Sequence, residues 1–467
     1  MYKFKFCTPE SVGIPSRALI RLLDELEKVE FIHYLSVMRH GRICLEGVRK
    51  PFEMDTPHQL FSVSKSFTSA AVGIAAGEGR LDVGDHLIDF FPEYAKTAHP
   101  RMARTRLSDL LSMRSGFAEC PAAKMLESGE DWVKYYLSLV PDKEPGSFFH
   151  YVSAATFMLA AVVKRVTGLN VREYLMPRLF EPLGIVPGVW ESTPQGVNYG
   201  GWGLYLKPRD LMKFGKLLLD GGVYEGRQLI PADYLAEAVK KHADNSMNTQ
   251  PDWKLGYGWQ FWRSTYGFRC DGASGQYAVV VPEHDLVVTT LAAVTNMQQI
   301  LTLLWEILIP ALAERPLDED AAANEQLRQK LAALAVPAAV GDGTPARQVR
   351  QFFTFAPNAS GIVSCVVEAG EEECALSFTL ADGKVEQLRA GFGSFRYGAF
   401  QLTDRAPHPT AASAAWREGK LVIEAFILNG IYRSVYTVDF TPGVIEPIRR
   451  RDLCTCFRRK WNALTVK

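Results

Sequence analysis

The stretch Phe61-Ser62-Val63-Ser64-Lys65-Ser66-Phe67 begins an apolar run with helical spacing that continues to Gly77 and ends at Glu78-Gly79. Ser62 and Lys65 are three residues apart, so a helix places both side chains on one face of its first turn. An amino group beside a helix N-terminus can activate a serine hydroxyl as a nucleophile without a histidine. A capping serine followed by a solvated lysine has the same spacing. The rest of the sequence must therefore decide between the two interpretations.

Length and composition describe an ordinary globular protein. The chain has 467 residues, of which 47% are hydrophobic and 22% are charged, so we expect two domains. With 52 basic and 52 acidic residues, the formal net charge is zero. No overall basic field then favours nucleic acid or an anionic membrane, and the sequence predicts neither as a partner. The composition leaves the oligomeric state open.

The N-terminal segment lacks the apolar core of a signal peptide, because Met1–Cys7 alternates aromatic and lysine residues. Cys7 also lacks the hydrophobic run that a lipoprotein signal requires. The most apolar later run, 300–313, is interrupted by Glu306 and Pro310 and is too short to span a bilayer. These features predict a cytoplasmic protein without a membrane anchor, whose eight cysteines are free thiols.

Hydrophobic periodicity separates helical from strand-rich parts of the chain. Residues 16–30 are predicted as an amphipathic helix, and two short strands follow around a turn at His40-Gly41. From 62 to about 240 the pattern is mostly helical; after Gly256 it changes to successive strands and a closing helix at about 296–314. This order predicts an α+β fold in which one sheet joins both ends of this part of the chain. The predicted strands after Gly256 are 257–262, 267–271, 276–281 and 286–292.

A second domain is predicted in the C-terminal part of the chain. Residues 318–336 indicate one more helix, and 337–345 have the Pro, Gly, Asp and Ala content of a linker. Short strand-like runs follow, separated by turn signals such as Asp382-Gly383. The predicted organisation is a first domain of 1–336, the linker, and an all-β, barrel-like domain of 346–467. The predicted strands of this domain are 351–355, 362–368, 374–380, 395–402, 420–427 and 432–440.

Three further patterns follow the Ser62–Lys65 pair in order. Leu110-Leu111-Ser112-Met113-Arg114-Ser115-Gly116 comes first, then Tyr151-Val152-Ser153 at a helix start, then Gly272-Ala273-Ser274-Gly275-Gln276 on a strand. Together the four patterns resemble the serine β-lactamase and penicillin-binding-protein family, in particular its class C and family VIII esterase branch. The resemblance covers roughly residues 8–315. It implies the β-lactamase/transpeptidase-like fold and a serine hydrolase that forms an acyl-enzyme with a small-molecule ester or amide.

The resemblance also implies roles for individual residues. Ser62 matches the nucleophile, Lys65 matches the motif lysine, and Tyr151 matches the tyrosine of the Tyr-x-Asn motif. The sequence leaves open whether Lys65 or Tyr151 is the general base. Ser153 stands where β-lactamases commonly carry asparagine, a change that esterase-like relatives tolerate better. The backbone N–H of Ala273 is expected to pair with that of Ser62 as an oxyanion hole.

The third motif departs from the family pattern. β-Lactamases carry Lys-Thr-Gly where this chain has Cys270-Asp271-Gly272. The family cation binds the substrate carboxylate, and a thiol cannot replace it. Gly272 still allows close backbone approach. Arg269 is expected to point away from the face of Cys270, because side chains alternate along a strand. The sequence therefore predicts that uncharged acyl substrates are preferred over β-lactams.

Other catalytic machinery is not indicated. Gly-x-Ser-x-Gly, His-Glu-x-x-His, P-loop and Gly-x-Gly-x-x-Gly patterns do not occur, and the nine histidines show no ligand spacing. Neither a metal ion nor a cofactor is therefore predicted. Residues 200–204 (Gly-Gly-Trp-Gly-Leu) are assigned to structure. Two alternatives stay open: a true β-lactamase or D-alanyl-D-alanine-type peptidase, and a penicillin-binding or sensor-like protein that is acylated without turnover.

Overall fold

Two compact units make up the protein. The computed structural model describes residues 4–358, 360–401, 407–440 and 444–448. The first unit consists of Met1–Val48 and Pro57–Ala333, and the second of Arg49–Thr56 and Leu334–Lys467. The domain limits and the linker inferred from the sequence stay predictions.

The segment Arg49–Thr56 belongs to the second unit, although the sequence analysis placed it in the first domain. Its backbone pairs with the residues that directly follow Ala333. The Lys50 N–H donates to the Leu334 carbonyl at 3.1 Å, and the Val336 N–H donates to the Lys50 carbonyl at 2.7 Å. Phe52 is buried in the same unit. These contacts join residues nearly 300 positions apart, which local periodicity cannot reveal.

A mixed sheet of seven strands forms the centre of the first unit. The strands of this unit are β1 (Lys5–Phe6), β2 (Phe31–Arg39), β3 (Arg42–Val48), β4 (His58–Gln59), β5 (Tyr205–Leu206), β6 (Val223–Tyr224), β7 (Arg227–Gln228), β8 (Trp262–Arg263), β9 (Phe268–Gly272), β10 (Gln276–Val281) and β11 (Leu286–Ala293). The main sheet has the order β1-β3-β2-β11-β10-β9-β8. Only β1 and β3 run parallel within it. The sheet joins the first strands to those after the helical block, which confirms the predicted α+β plan.

Helices cover the sheet and form the block between β4 and β8. They are α1 (Ser16–Lys28), α2 (Ser64–Gly77), α3 (Pro100–Arg104), α4 (Leu107–Leu111), α5 (Ala122–Ser128), α6 (Trp132–Ser138), α7 (Ser153–Thr167), α8 (Val171–Leu175), α9 (Pro208–Leu219), α10 (Ala232–Ala238), α11 (Met297–Leu303) and α12 (Ala321–Ala333). The predicted strand at 257–262 is wrong except at its last residue, since Gly258 and a left-handed Gln260 break the extended backbone. Beyond α11 the chain continues as a π-helical turn, Leu304–Leu308, and a 3₁₀ turn, Ile309–Ala311. The second turn contains Pro310, which cannot donate a backbone hydrogen bond.

The two faces of the main sheet pack against different helices. Strands β10 and β11 share an apolar core with α1 and α11, which includes Leu19, Leu23, Val279, Val288 and Ile300. On the other face, α9 lies so close that a Cβ on Gly215 would meet Val287 at 2.7 Å. Strand β9 lies beside the turn Phe61–Val63 and α2. This part of the sheet positions the candidate site.

The second unit is a curled all-β sheet, as the sequence predicted. Its strands are β12 (Val349–Thr354), β13 (Ile362–Ala369), β14 (Glu373–Leu380), β15 (Val385–Phe392), β16 (Arg396–Phe400), β17 (His408–Arg417), β18 (Lys420–Ile427), β19 (Arg433–Asp439) and β20 (Val444–Ile448). They follow the order β12-β13-β14-β15-β17-β18-β19-β20, and β16 pairs with β17. Three of these strands were not predicted from the sequence: β15, β17 and β20. Strand β17 is rich in alanine, a poor strand former, and is buried along most of its length.

The segment 337–345 makes hydrogen bonds to the sheet of this second unit. The Ala339 N–H donates to Ser413 Oγ at 2.9 Å. Arg417 Nε donates to the Val340 carbonyl at 2.8 Å. A segment with the composition of a flexible linker is thus held along β17 in the folded protein.

Six cysteines in the described ranges are free thiols, as predicted. They are Cys7, Cys44, Cys120, Cys270, Cys365 and Cys374. Cys454 and Cys456 lie outside the described residues. In the same ranges, no set of three or more His, Cys, Asp or Glu side chains is arranged to hold a metal ion.

Within the described part of the chain, no single helix has both the length and the apolar composition needed to cross a membrane. Only Ser153–Thr167 and Val171–Phe180 reach these limits when combined, and they meet at a bend of 65°.

Candidate active site

Ser62 lies in one turn of 3₁₀ helix, Phe61–Val63, directly before α2. Phe61 has a φ of +48°, a left-handed conformation that costs a non-glycine residue about 1–3 kcal/mol. Two bonds through Ser64 hold the turn: its hydroxyl donates to the Phe61 carbonyl at 2.6 Å and accepts from the Leu204 N–H at 3.2 Å. The hydroxyl-bearing side chain of Ser62 is half-buried, while both flanking residues are buried. The turn therefore presents Ser62 at an accessible position.

Lys65 is buried, with 1% of its surface exposed. Its Nζ lies 3.0 Å from Ser62 Oγ, 3.1 Å from Ser153 Oγ and 2.7 Å from the Gly201 carbonyl oxygen. A carbonyl can only accept, whereas the two hydroxyls can donate or accept. The arrangement consequently suits an ammonium that donates three bonds and also a neutral amine that accepts from Ser62. The geometry places the amino group at the serine oxygen in either protonation state.

Tyr151 precedes α7 and faces the same amino group. Lys65 Nζ lies 4.8 Å from the centroid of the Tyr151 ring. The ring stacks on Trp262 with centroids 5.5 Å apart and meets Tyr257 edge-on at 6.1 Å. Burial is the main cause that raises the pKa of Tyr257 well above its usual value, with the charge of Tyr151 as the next cause. Tyr151 is therefore the half-buried tyrosine of this aromatic cluster, next to Lys65.

Met113, in the second sequence pattern, holds the backbone on both sides of Tyr151. Its carbonyl accepts from the His150 N–H at 2.9 Å, and its Sδ lies 3.3 Å from the backbone nitrogen of Val152. Met113 is itself left-handed, with a φ of +58°. The sequence analysis assigned no role to this methionine, because a buried apolar residue gives no chemical signal.

Gly272 and Ala273 bring backbone donors to the serine. A Cβ on Gly272 would meet the Leu60 carbonyl oxygen at 2.3 Å, so only glycine lets β9 run this close to the nucleophile turn. Over the ranges that the structure describes, the N–H groups of Ser62 and Ala273 donate to no protein acceptor. Two unengaged N–H groups on adjacent segments are the requirement for an oxyanion hole.

Cys270, in contrast, is not open to a ligand. Its surface is 0% exposed, and its thiol interacts with the Ser66 hydroxyl of α2. Burial raises the pKa of Cys270 to about 12, so the thiol is neutral. The structure thus brings the other six predicted site residues together but turns this one into the protein: Ser62, Lys65, Tyr151, Ser153, Gly272 and Ala273.

Arg269 shares its face of β9 with Asp271 and not with Cys270, as strand alternation predicts. Its side chain is 0% exposed, and Nε donates to Asp271 Oδ2 at 2.8 Å. Nη1 donates to the Arg263 carbonyl at 2.7 Å and to Ser264 Oγ at 2.9 Å. Burial raises the pKa of Asp271 to about 6, although the charges of Arg269 and Lys65 lower it. The positive charge of Arg269 is therefore paired with Asp271 inside the protein.

Gly201 is a site residue that the sequence analysis missed, since it assigned 200–204 to structure. The Gly201 carbonyl accepts from Lys65 Nζ across 136 positions of sequence. A Cβ on Gly201 would lie 2.9 Å from the Ser153 carbonyl oxygen and 3.5 Å from Lys65 Nζ. The adjacent glycines Gly200 and Gly201 were the available signal, because glycine often marks a position where two backbone segments approach closely.

Comparison with protein families gives a match to the Beta-lactamase family over residues 33–301. The chain is 26% identical over 231 residues to the 6-aminohexanoate-dimer hydrolase of Paenarthrobacter ureafaciens, which covers 46% of this chain and 58% of that protein. It is also 26% identical over 285 residues to penicillin-binding protein 4 of Amycolatopsis lactamdurans, covering 51% and 72%. The match thus spans little more than half of the dimer hydrolase.

Solved structures give the same fold. A penicillin-binding protein homologue from Caulobacter crescentus superposes with a TM-score of 0.54 at 16% identity, over 66% of this chain and 99% of that chain. SurE superposes with a TM-score of 0.51 at 17% identity, over 89% of this chain and 97% of that chain. The resemblance drawn from the four motifs is confirmed by the family match, and the predicted fold by these structures. The chain belongs to the β-lactamase family.

Proposed function

We propose that the protein is a serine hydrolase that cleaves a small-molecule ester or amide through an acyl-enzyme on Ser62. The observation that carries this proposal is the 3.0 Å contact between Lys65 Nζ and Ser62 Oγ, with the centroid of the Tyr151 ring 4.8 Å from the same Nζ. Names of relatives support the class, because they include a dimer hydrolase and β-lactamases.

In this mechanism Ser62 Oγ attacks the substrate carbonyl while its proton passes to the Lys65–Tyr151 unit. The N–H groups of Ser62 and Ala273 bind the developing oxyanion, a contribution of about 10²–10³-fold for each donor. The same unit returns the proton to the leaving group. Water then attacks the acyl ester and regenerates Ser62. Which of Lys65 and Tyr151 takes the first proton stays open.

Uncharged acyl substrates are proposed to be preferred over β-lactams, because neither Cys270 nor Arg269 offers a cation to a β-lactam carboxylate. Cys270 is neutral and buried, and the charge of Arg269 is paired with Asp271. A charge-assisted hydrogen bond contributes about 1.5–3 kcal/mol, or about one to two powers of ten in rate if it acts in the transition state.

We therefore expect 4-nitrophenyl butyrate to be hydrolysed with at least about tenfold higher kcat/KM than nitrocefin. Both rates are measured by absorbance on the same preparation. The Ser62→Ala protein supplies the background for each substrate. Equal efficiency on the two substrates would contradict the preference and favour a true β-lactamase.

Acylation without turnover is separated from hydrolysis by the time course. A stoichiometric burst of 4-nitrophenol without a steady state would indicate the sensor-like alternative. Sustained release of many equivalents supports the hydrolase. The cytoplasmic location inferred from the sequence stays a prediction.

Gly201→Ala is expected to lower kcat/KM for 4-nitrophenyl butyrate by about tenfold or more. The added methyl group would meet the Ser153 carbonyl oxygen at 2.9 Å and crowd Lys65 Nζ at 3.5 Å, and misplaced catalytic groups lose rate steeply. Gly398→Ala is the matched control, because a Cβ there meets nothing within 4 Å. Parent-like activity of Gly201→Ala would show that the position of Lys65 does not depend on this glycine.

A further inference from the structure

Asp271 is a charged group on β9 that the proposed mechanism does not use. It stands at the second position of the third motif, directly before the Gly272 that contacts Leu60. Ala273, the candidate oxyanion donor, follows two residues later. The charge of Lys65 lowers the pKa of Asp271, so the carboxyl group lies within the electrostatic reach of the catalytic amino group.

One oxygen of this carboxylate is engaged and the other is open. Oδ2 accepts from Arg269 Nε at 2.8 Å. In the described ranges Oδ1 has no hydrogen-bond partner, and it is not fully buried. Arg269 Nη2, in contrast, is a fully buried atom without a hydrogen-bond partner in those ranges. The Asp271 side chain keeps 6% of its surface exposed. Oδ1 therefore retains solvent contact and can accept a further hydrogen bond.

The neighbouring cations cannot serve an anionic ligand. Arg269 is fully buried and donates to four protein acceptors, and its Cζ lies 4.5 Å from the centroid of the Trp253 ring. Lys65 Nζ is held at Ser62, Ser153 and Gly201. A substrate carboxylate would face the Asp271 carboxylate, whereas a substrate ammonium would find a charged acceptor there.

We propose that Asp271 is a specificity-determining residue that accepts an ammonium group of the substrate through Oδ1. The proposed hydrolase would then prefer esters or amides that carry a primary amine on the acyl side or on the leaving-group side. This inference rests on the proposed function, and it names the substrate class of the same site.

The preference has a defined pH dependence. The charged and titratable groups around Asp271 are Arg269 on β9, Lys65 on α2, Asp252 in the turn Pro251–Trp253, Tyr257, and Tyr277 on β10. Burial, as the largest cause, raises the pKa of Asp271 from 3.8 to about 6. Asp271 is thus ionised above about pH 6 and neutral below it, while a primary amine stays charged up to about pH 10. The advantage of the ammonium is present at pH 7–8 and is lost as the pH falls through 6.

Isosteric substrate pairs test the proposal. One pair is 4-nitrophenyl 6-aminohexanoate and 4-nitrophenyl heptanoate; the other is the butyrate of 4-(aminomethyl)phenol and that of 4-ethylphenol. Each pair exchanges an ammonium for a methyl group, on the acyl side or on the leaving-group side. We expect at least about a tenfold higher kcat/KM for the amine in one pair at pH 8, and a ratio that falls towards 1 at pH 5. Dividing the kcat/KM of the amine by that of the uncharged member of its pair removes the pH dependence of the chemical step from the comparison.

Asp271→Asn should bring the ratio of kcat/KM for the amine to kcat/KM for the uncharged ester to about 1 at pH 8, whatever the absolute rates of the variant. Asp285→Asn is the matched control. Asp285 lies in the turn between β10 and β11, at the opposite end of β10 from the Gln276 that pairs with Gly272. Its φ of +47° also suits asparagine. Thermal melting of both variants reports folding, because Asp271→Asn leaves Arg269 without its ion pair.

Hydrolysis of the uncharged esters without any ammonium advantage, or a ratio that does not change between pH 5 and 8, would overturn the inference and leave the proposed function standing. If no ester is turned over, the proposed function fails, and calorimetry decides the inference. The Ser62→Ala protein should then bind 6-aminohexan-1-ol at least about tenfold more tightly than heptan-1-ol. Equal binding of the two alcohols overturns it. The same calorimetric comparison applies if Asp271→Asn does not fold.

Discussion

The Ser62→Ala protein is expected to lose labelling by a fluorophosphonate probe and to lose ester turnover by about 10⁴-fold or more. The change removes the oxygen that attacks the carbonyl, and the remaining backbone donors can only stabilise attack by water. The fold should be retained. Ser62 is half-buried, and in the described residues its hydroxyl interacts with the Lys65 amino group. Peptide mapping of the labelled parent protein should locate the adduct on Ser62.

Ser69→Ala is the matched control for this experiment. Ser69 lies on α2, the helix that directly follows the turn with Ser62, and its hydroxyl bonds to the Trp259 carbonyl at 2.8 Å and to Tyr234 Oη at 2.9 Å. The control should lower the melting temperature and keep the labelling. Labelling of Ser62→Ala at the parent rate, or an adduct mapped to another residue, would show that Ser62 is not the nucleophile.

Lys65→Ala and Tyr151→Phe should each slow acylation strongly, by about 10²–10⁴-fold. The two groups lie close to each other and to the nucleophile: Lys65 Nζ is 3.0 Å from Ser62 Oγ and 4.8 Å from the Tyr151 ring centroid. If they transfer one proton as a unit, removing the second group costs little once the first is gone. The double variant should therefore be about as slow as the slower single variant.

Stopped-flow acylation rates for the four proteins form a double-mutant cycle. Melting temperatures accompany them, because Lys65→Ala leaves the Gly201 carbonyl without the amino group that it accepts from. Losses that multiply in the double variant would mean that Lys65 and Tyr151 act independently, and the shared proton-transfer unit would have to be abandoned.

The family and the main elements were readable because their information is local. The spacing of three between Ser62 and Lys65, the helix pattern up to Gly77 and the apolar run of β10 depend on residues a few positions apart. Two motifs lie at helix starts, while 110–116 spans the end of α4 and the residues after it, and 273–275 form the turn between β9 and β10, where a strand was predicted. The order of the motifs then identified the fold and the candidate nucleophile.

Predictions failed where a long-range contact overrides local preference. The alanines of β17 are poor strand formers, and burial between neighbouring strands makes them extended. Residues 257–262 have strand composition, but the Gln260 side chain bonds to Thr156 and to the carbonyls of Leu110 and Leu111. Those contacts lie more than 100 positions away in the sequence.

By itself the sequence determined the family, the α+β plan, the all-β character of the second unit and the residues that make up the four motifs. Only the tertiary structure decided what each polar group faces. It placed the Gly201 carbonyl on Lys65, turned Cys270 towards Ser66, and paired Arg269 with Asp271 so that one carboxylate oxygen stays open. Periodicity specifies which face of its own element a side chain occupies, whereas the partner on that face comes from a distant segment. The charge that a substrate meets is therefore a property of the packed molecule.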